Sequence, residues 1–493
     1  MSMRPLSRAV TWSRVIWATA LVAVVSVSLS ACGTVTGLVS GTGTAGTSSI
    51  APNVPASELK IIGDGNTKFD QLARNALVDV EQYWKRVYPT VSGGKQFEPL
   101  RGGVYSVTTG HPNTANACMA RQANAADNNA FYCPEDDSFA YDRTGLVGQL
   151  ADHFGPEMAM VVIAHEFGHL IQNRLGLDRT SIFMESQADC AAGAFTAAEF
   201  KVSQPYVASP HFGEKPPDLD RTIIGLILLR DSAPHSADDV GTHGSGFDRG
   251  SAFSDGFHNG AKFCYGDDWA NRQFTERPYT LDRDYASGGN ETLERLLSNT
   301  GGLFPDLNAF WAATFPKVSK GKTWQKVQIK QADHPPCADS SVELGYCPND
   351  NTIYYSPSIA KQVYNSVPDV HISSDGQLQF DENGPGDYAL GALFTVAFGM
   401  AVLHQSGKAI NTSGALKSAI CYSGAYSANI NVSTDEAPRS DGFVLSPQDM
   451  DEATYAMLRS VNEASVFGAR NTTGLDRIND FREGYLATSA ASC

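Results

Sequence analysis

"AHEFGHLIQNRLG", residues 164–176, is the stretch that decides how this chain of 493 residues folds. Its apolar residues and its closing glycine are typical of a buried helix that ends at Gly176. A later stretch, "VAFGMAVLHQSG" at residues 396–407, repeats the Phe-Gly pair and the closing glycine at the same spacing, but not the two histidines and the glutamate around that pair. The later stretch therefore reads as a second copy of the same helix that has lost its polar residues.

Four more blocks recur in the same order along the chain. The pairs are 83–100 with 310–327, 131–142 with 345–356, 189–195 with 420–426, and 246–257 with 474–485. Chance similarity does not keep one order and a nearly constant offset over five blocks, so the sequence predicts a tandem duplication. We expect a first domain over residues 58–280 and a second, degenerate copy over residues 285–493.

The N-terminus has the features of an export signal. Three arginines precede a short apolar segment at 15–30, and this segment is followed by Cys32 at the end of "LSAC". A small residue before such a cysteine resembles the lipobox of bacterial lipoproteins, which implies that residues 1–31 are a lipoprotein signal peptide and that Cys32 carries a lipid. Residues 32–57, rich in Gly, Ser and Thr, are then a flexible tether. The alternative is an uncleaved anchor helix, which the short apolar segment disfavours.

Composition and charge describe a globular protein and exclude one class of partner. The chain is 42% hydrophobic and 18% charged, which is typical of folded domains. Its formal net charge is −16, whereas binding to a phosphate backbone needs a basic surface. We therefore expect no nucleic-acid partner, and we expect a lipid-anchored protein on the extracytoplasmic face of the cell membrane.

The eight cysteines after Cys32 recur together with the repeated blocks. An even number of cysteines in an exported chain favours disulfides over free thiols. The simplest pairing consistent with both copies is Cys118–Cys133, Cys190–Cys264, Cys337–Cys347 and Cys421–Cys493. Eight free thiols are the alternative, which an oxidising compartment disfavours.

Local signals give the structure of the first copy. Pro156 and Glu157 mark the first turn of the helix that ends at Gly176. Residues 181–200 predict a second, Ala-rich helix, and residues 131–142 predict a hairpin with a tight turn that contains proline. Each copy is therefore expected to have an α+β fold.

Residues His165, Glu166 and His169 form H-E-x-x-H on the first of these helices. Histidines four residues apart lie on one face of a helix, so both imidazoles can bind a single zinc ion. Glu166 lies around the helix from them, close enough to act as general base on a zinc-activated water without binding the metal. The motif alone also occurs by chance, so it needs a third ligand.

The segment "ESQADC", residues 185–190, supplies that ligand. Glu185 is predicted to bind the zinc ion, since three protein ligands are typical of catalytic sites. Asp189, four residues later, is predicted to accept the second N–H of a ligating histidine. The alternative is a pair of acids on an exposed helix face, which the surrounding apolar residues disfavour.

The second copy tests this assignment. All five proposed positions are apolar there, since the aligned residues are Val396, Ala397, Met400, Leu416 and Ile420. A buried polar group is costly without a partner, so all five would be replaced together once the metal was lost. The sequence therefore predicts one zinc ion per chain, bound in the first domain.

The same alignment singles out His243, which falls opposite Asn471. Peptide hydrolysis needs a donor that stabilises the oxyanion of the tetrahedral intermediate, and a histidine can provide it. The alternative is a loop histidine that caps a turn. His243 is a candidate catalytic residue beside Glu166.

The motifs "HEFGH", "ESQADC", "YCPEDDSFAYD" and "HGSGFDR" together resemble the neutral zinc metallopeptidases of the YpfJ-like group over most of residues 80–264. The resemblance implies a zincin-like fold with His165, His169 and Glu185 as ligands and Glu166 as base. It departs from the family at Ala252, where an aromatic residue is expected. With its lipobox and degenerate second copy, the whole chain resembles actinobacterial lipoprotein peptidases.

These observations favour a membrane-anchored zinc metalloendopeptidase that cleaves a protein or peptide substrate. The alternative is a binding or scaffold lipoprotein of the cell envelope with a structural zinc site, which would need a closed set of four protein ligands. The second domain, which keeps its cysteines and aromatic residues, is expected to dock an envelope protein partner or to position substrate. An inert remnant is the other reading of that domain.

Overall fold

The described part of the chain includes residues from both of the domains that the sequence predicts. The computed structural model describes residues 51–493 except for 112, 213–218, 232–241, 276–278, 280–281, 374–376, 432–442, 460–464, 469–471 and 488. The predicted signal peptide, Cys32, most of the tether and Asn471 lie outside the described residues. Residues 48–493 form one compact unit, in which we call residues 51–275 the first half and residues 282–493 the second half.

The first half is a mixed α+β structure. Its strands are β1 Ile61–Ile62, β2 Gly103–Val107, β3 Ala130–Cys133 and β4 Ser138–Asp142. Its helices are α1 Lys68–Val91, α2 Ala117–Arg121, α3 Val147–Phe154, α4 Pro156–Leu175, α5 Ser181–Glu199, α6 Leu219–Leu228, α7 Gly246–Asn259 and α8 Ala261–Cys264. The strands form one sheet in the order β1-β2-β4-β3, in which β3 and β4 are the antiparallel hairpin that the sequence predicts.

The second half follows a related order. Its strands are β5 Gln328–Gln331, β6 Leu344–Cys347, β7 Thr352–Tyr355, β8 Val367–Ile372 and β9 Leu378–Gly384. Its helices are α9 Asp282–Ser287, α10 Leu293–Leu296, α11 Leu303–Val318, α12 Pro357–Tyr364, α13 Asp387–Ser406, α14 Ser413–Ile430, α15 Asp449–Leu458 and α16 Gly474–Leu486. Strands β5, β7 and β6 form one sheet, and β8 pairs with β9 in a separate hairpin.

Two long helices at the centre of each half pack at close range. Gly168 of α4 faces Ala188 of α5, and a Cβ at Gly168 would lie 2.7 Å from the Ala188 Cα. Gly399 of α13 faces Ala419 of α14 in the same way, with 2.8 Å for the corresponding distance. No larger residue fits at either position without moving a helix, which explains the Phe-Gly pair in both stretches.

Helix α4 begins and ends where the local signals indicate. Pro156 occupies the first turn after Gly155, and Gly176 adopts a left-handed conformation with φ 71° at the C-terminus. Helix α5 covers Ser181–Glu199, so the second predicted helix is also confirmed. Among the described helices, α13 is long and apolar enough to cross a membrane by composition alone, but 83% of its apolar window is buried inside the protein. It is a core helix.

The structure contains four disulfides that join the cysteines as the repeat predicts: Cys118–Cys133, Cys190–Cys264, Cys337–Cys347 and Cys421–Cys493. The second and fourth of these connect α5 and α14 to segments 74 and 72 residues further along the chain. Each bond lies within one half, so none of these four disulfides joins the two halves.

The structure differs from the sequence-based expectations in two places, the end of the predicted tether and a hairpin in the second half. The last residues of the predicted tether lie on the folded part, since Val54 is buried and its N–H donates to Asn75 Oδ1 at 3.0 Å. The hairpin β8–β9 was not predicted. In the first half only Gly155 separates α3 from α4, which leaves no room for such a hairpin there.

Helices α6 and α7 of the first half pack against α15 and α16 of the second. Side chains cross between the two hydrophobic cores at this contact. Phe247 of α7 is buried in the core of the second half, while Leu475 and Ile478 of α16 are buried in the core of the first. The two halves therefore share buried surface.

Candidate metal centre

Helices α4 and α5 bring three predicted ligands to one point. His165 Nε2 lies 3.2 Å from His169 Nε2 and 3.1 Å from Glu185 Oε2, and His169 Nε2 lies 3.4 Å from Glu185 Oε1. Nitrogen and oxygen ligands about 2.0–2.1 Å from a tetrahedral zinc ion are about 3.3–3.4 Å apart. The three donor atoms already have nearly this spacing, so these residues fit a zinc ion.

The other nitrogen of each imidazole has its own acceptor. His165 Nδ1 lies 2.7 Å from Asp189 Oδ1, and His169 Nδ1 lies 2.9 Å from Gln172 Oε1. With the Nδ1 hydrogen donated to these oxygens, each Nε2 is available to a metal. Gln172 is held in turn by Met184 O at 2.6 Å.

Sequence reasoning predicted Asp189 but missed Gln172. The signal was present in the repeat, because Gln172 aligns with Leu403 and so loses its polarity with the other site residues. Leu403 is 2% exposed in the second core. The comparison of the two copies could therefore have found this residue as well.

Asp189 is fully buried, and Arg249 of α7 neutralises it. The guanidinium makes two bonds to the carboxylate, Nε to Oδ2 at 3.0 Å and Nη2 to Oδ1 at 3.0 Å. Burial alone would raise the pKa of Asp189, but Arg249 and His165 outweigh burial and lower it. The acceptor that orients His165 therefore stays ionised.

The electrostatic field at this point favours positive charge. Burial works to lower the pKa of His165, but Asp189 and Glu185 raise it to about 10. Burial opposes ionisation of Glu185 too, yet the two histidines hold its pKa well below the usual range. A site that stabilises protonated imidazoles beside a carboxylate also stabilises a divalent cation, which then replaces the protons.

Glu166 lies next to the two imidazoles, and its described hydrogen bond goes to β3 and not to the three predicted ligands. Its carboxylate, His165 and His169 each offer an atom within 4.8 Å of the others, and its Oε2 accepts a hydrogen bond from Tyr132 N of β3 at 3.2 Å. Burial raises the pKa of Glu166. A carboxylate of raised pKa next to a metal site is suited to accept a proton near neutral pH.

His243 is located just before α7. Its Nδ1 lies 3.2 Å from Asp231 Oδ1, and the backbone N–H groups of His243 and Gly244 donate to Asp231 Oδ2 at 2.5 and 2.9 Å. The side chain is 51% exposed. Gly244 packs against Ile182 in the first turn of α5, the helix that carries Glu185. Among the described contacts, none joins the His243 imidazole to the three ligands.

The counterparts of the site residues lie in the core of the second half. Val396, Ala397, Leu416 and Ile420 are 0% exposed and Met400 is 3% exposed. The described residues of that half do contain an acidic group, Asp387, Asp449 and Glu452, at the start of α13. Its carboxylates accept backbone N–H groups, such as Tyr388 N to Glu452 Oε2 at 2.8 Å, so they cap the ends of helices.

The chain matches a known family over the half that carries this site. Residues 18–265 match the family model described as "Putative neutral zinc metallopeptidase", and this range is half of the chain. The chain belongs to this family. Family membership implies a zinc cofactor and a peptide substrate, and the geometry of His165, His169 and Glu185 is consistent with that metal.

Curated relatives match a shorter region. "Uncharacterized protein Rv2575" of Mycobacterium tuberculosis and "Uncharacterized protein Mb2605" of Mycobacterium bovis are each 28% identical over 151 residues, which is 26% of this chain and 52% of the relative. The chain therefore spans about half the length of the curated relatives it matches. No solved structure matches the chain.

Proposed function

We propose that this protein is a zinc metalloendopeptidase, anchored by a lipid on Cys32 to the extracytoplasmic face of the cell membrane. One observation carries the peptidase assignment. Three donor atoms of His165, His169 and Glu185 converge at 3.1–3.4 Å, and a fourth polar residue, Glu166, offers a carboxylate atom within 4.8 Å of both imidazoles. Three protein ligands with a nearby carboxylate are the arrangement of a catalytic zinc site, whereas a structural site uses four.

Zinc bound by these residues would supply Lewis-acid activation of a water molecule and of the scissile carbonyl. Glu166 then accepts the proton of the attacking water, since its pKa is raised and the Tyr132 N–H orients its carboxylate. Asp189 and Gln172 keep the two imidazoles in the ligating orientation.

His243 is proposed as the donor to the developing oxyanion. Its imidazole is half exposed and is oriented by the Asp231 carboxylate, which leaves Nε2 available for a substrate. A donor aimed at charge that develops in the transition state typically contributes on the order of 10²–10³ in kcat. This role requires substrate to lie between His243 and the metal ligands.

The second half is proposed to be a degenerate copy of the catalytic domain that binds no metal, so that the chain carries one zinc ion. The equivalent glycine contacts at Gly168 and Gly399 and the equivalent disulfides support this reading. We propose that this half positions substrate or docks a partner protein of the envelope, because it was retained as a folded, disulfide-bonded body.

Hydrolysis of an unstructured protein such as casein tests the catalytic assignment. The chain should cleave it, and Glu166→Gln should lower the rate by about 10²–10⁴ while the zinc content stays at one per chain. Cleavage that survives Glu166→Gln would remove the proposed mechanism. A wild-type chain that binds zinc but cleaves nothing would instead support the envelope scaffold with a structural zinc site.

Fractionation of cells tests the proposed anchor. The chain with Cys32→Ala should move from the detergent-soluble membrane fraction to the soluble extracytoplasmic fraction or remain unprocessed. Cys118→Ala with Cys133→Ala is the matched control, because it removes two other cysteines and leaves the lipidation position intact. Membrane association that does not depend on Cys32 would contradict the anchor.

A further inference from the structure

A single carboxylate of the second half contacts two residues of the first half. Asp451 of α15 accepts a hydrogen bond from Phe247 N at 2.8 Å through Oδ1, and its Oδ2 lies 3.0 Å from Arg230 Nε. Asp451 is 4% exposed, and the Arg230 side chain is 11% exposed. Both contacts are therefore shielded from water. The first is a hydrogen bond, and the second is an ion pair without hydrogen-bond geometry at Arg230 Nε.

These two points flank the residues that present His243. Arg230 directly precedes Asp231, whose carboxylate accepts both backbone N–H groups of 243–244 and orients the imidazole. Phe247 lies in the first turn of α7, shortly after His243. Asp451 thus fixes the chain immediately before Asp231 and shortly after His243.

The charge of Asp451 depends on the same contacts. Burial raises the pKa of this carboxyl, and Arg230 with the N–H groups of residues 246 and 247 opposes that shift. A carboxylate at the first turn of a helix also interacts favourably with the helix dipole. A second acid of this half, Asp369 in β8, lies 3.9 Å from Arg230 Nη2 but is largely exposed and contributes less.

We propose that Asp451 is a positioning residue for the peptidase reaction, by which the degenerate half holds the Asp231–His243 pair in place. The inference rests on the proposed function, because it assigns a role in catalysis to His243. It gives the second half a task that a lone catalytic domain could not perform, since the carboxylate comes from α15.

The chain contains a matched control. Asp220 of α6 accepts from Gly474 N of α16 at 2.9 Å and pairs with Arg477 Nη2 at 2.9 Å, so it makes the reciprocal contact across the same surface. Both of these partners of Asp220 lie in the second half, for which no metal site is proposed. Asp220 and Asp451 therefore both test the loss of an acid at the interface, although the Asp220 side chain is 23% exposed and that of Asp451 5%. Only Asp451 reaches the segment of His243.

Steady-state kinetics on a fluorogenic peptide should separate the two residues. Asp451→Asn keeps a capping oxygen but loses the ion pair with Arg230, so kcat should fall about tenfold at nearly constant KM, because an interaction made in the transition state is lost. Asp220→Asn should leave kcat within about twofold. Zinc content should remain one per chain in both.

A double mutant decides whether Asp451 acts through His243. In a His243→Gln background, Asp451→Asn should lower kcat no further, since coupled residues are non-additive. Hydrogen exchange measured without zinc gives an independent readout. Exchange of amides 242–249 should rise in Asp451→Asn, whereas Asp220→Asn should affect amides 473–477 instead.

Equal kcat losses in the two Asn variants, additive effects with His243→Gln, or unchanged exchange at 242–249 would overturn the proposal. Should Asp451→Asn fail to fold, Arg230→Lys tests the same ion pair from its other side. A wild-type chain without peptidase activity would defeat the proposed function alone, and the exchange experiment would still decide whether Asp451 fixes this segment.

Discussion

The α4–α5 pair and the α13–α14 pair are built alike, yet only one of them carries a site. Each pair has a glycine at the closest approach and a disulfide from the second helix to a segment downstream. They differ at the positions of the ligands and their acceptors, which are polar in the first pair and fully buried apolar residues in the second. The helix pair therefore does not need the site in order to pack.

Arg249 and the residue aligned with it show that the buried polar side chains of the site depend on one another for partners. Arg249 of α7 is neutralised by Asp189, whereas the residues aligned with Arg249 and Asp189 are Arg477 of α16 and Ile420 of α14, which is not an acid. Arg477 is 0% exposed and pairs with Asp220 of the first half at 2.9 Å. With Ile420 at the aligned position, the buried arginine needs another acid as partner, and the contact between the halves supplies Asp220.

The largest expected effect comes from moving the residues of one pair into the other. The chain with His165→Val and His169→Met carries the residues of positions 396 and 400 at the metal centre. Zinc should fall from one ion per chain to none, and hydrolysis should fall by at least about 10³, because the remaining carboxylate cannot hold the metal alone. Metal analysis and casein cleavage measure both outcomes.

The reverse exchange serves as control. Val396→His with Met400→His should bind no second zinc, because Leu416 offers no third ligand and the site is fully packed. A second zinc ion in that variant would show that the second half can also form a metal site. Such a result would contradict the expectation of one zinc ion per chain, which rests on the second half being unable to bind the metal.

Loss of the buried acid should have the next largest effect. Asp189→Ile, which places the residue of position 420 in α5, leaves Arg249 buried without its partner and should lower the free energy of unfolding by about 3–5 kcal/mol. Urea unfolding of the disulfide-bonded protein measures this. Asp189→Ile with Arg249→Met should recover a large part of the loss, since no charge is then stranded. Equal destabilisation of both variants would contradict the role assigned to Arg249.

Local signals determined what could be predicted from the sequence. Pro156 and Gly176 delimit α4, and the alternation around a tight turn delimits β3 and β4, because proline, glycine and hairpin turns restrict the backbone over a few residues. The ligands were accessible for the same reason, as their spacing along two helices places them on one face. The recurrence of the cysteines with the aligned blocks predicted in addition which cysteines form disulfides.

Contacts between distant residues could not be predicted in this way. Arg249, Arg230 and Asp451 act across gaps of 60 to 221 residues and follow no sequence periodicity. The reciprocal capping by Asp220 and Asp451 depends on how two bodies pack, which neither helix encodes alone. Hairpin β8–β9 is an insertion in one copy, so the comparison of the copies had no counterpart from which to infer it.

A smaller effect compares the two helix contacts directly. Gly168→Ala and Gly399→Ala each place a Cβ under 3 Å from the facing helix, at 2.7 and 2.8 Å from the nearest Cα atom, and should each destabilise the protein by about 1–3 kcal/mol. Only Gly168→Ala should also lower peptide hydrolysis, because it moves α5 and Glu185. Gly414→Ala is the control, since its nearest neighbour would be 3.9 Å away. Unequal unfolding energies would mean that the two pairs differ in geometry.

The smallest effect concerns the end of α5, where Glu199 aligns with Ile430 of α14. Burial and the nearby Asp79 raise the pKa of Glu199 to about 9, so the folded protein keeps a proton that the unfolded chain releases near pH 4.5. The folded state binds more protons between these values, and its stability therefore falls as pH rises from about 4.5 to about 9. Glu199→Gln imitates the protonated acid and should remove this loss, so the variant should gain stability relative to wild type as pH rises through this range. Asp79 is paired with His211 at 2.6 Å, so this pair also contributes to the pH dependence of stability. His211→Gln is the control for that contribution. Thermal unfolding across this range would contradict the assignment if wild type and Glu199→Gln changed in parallel.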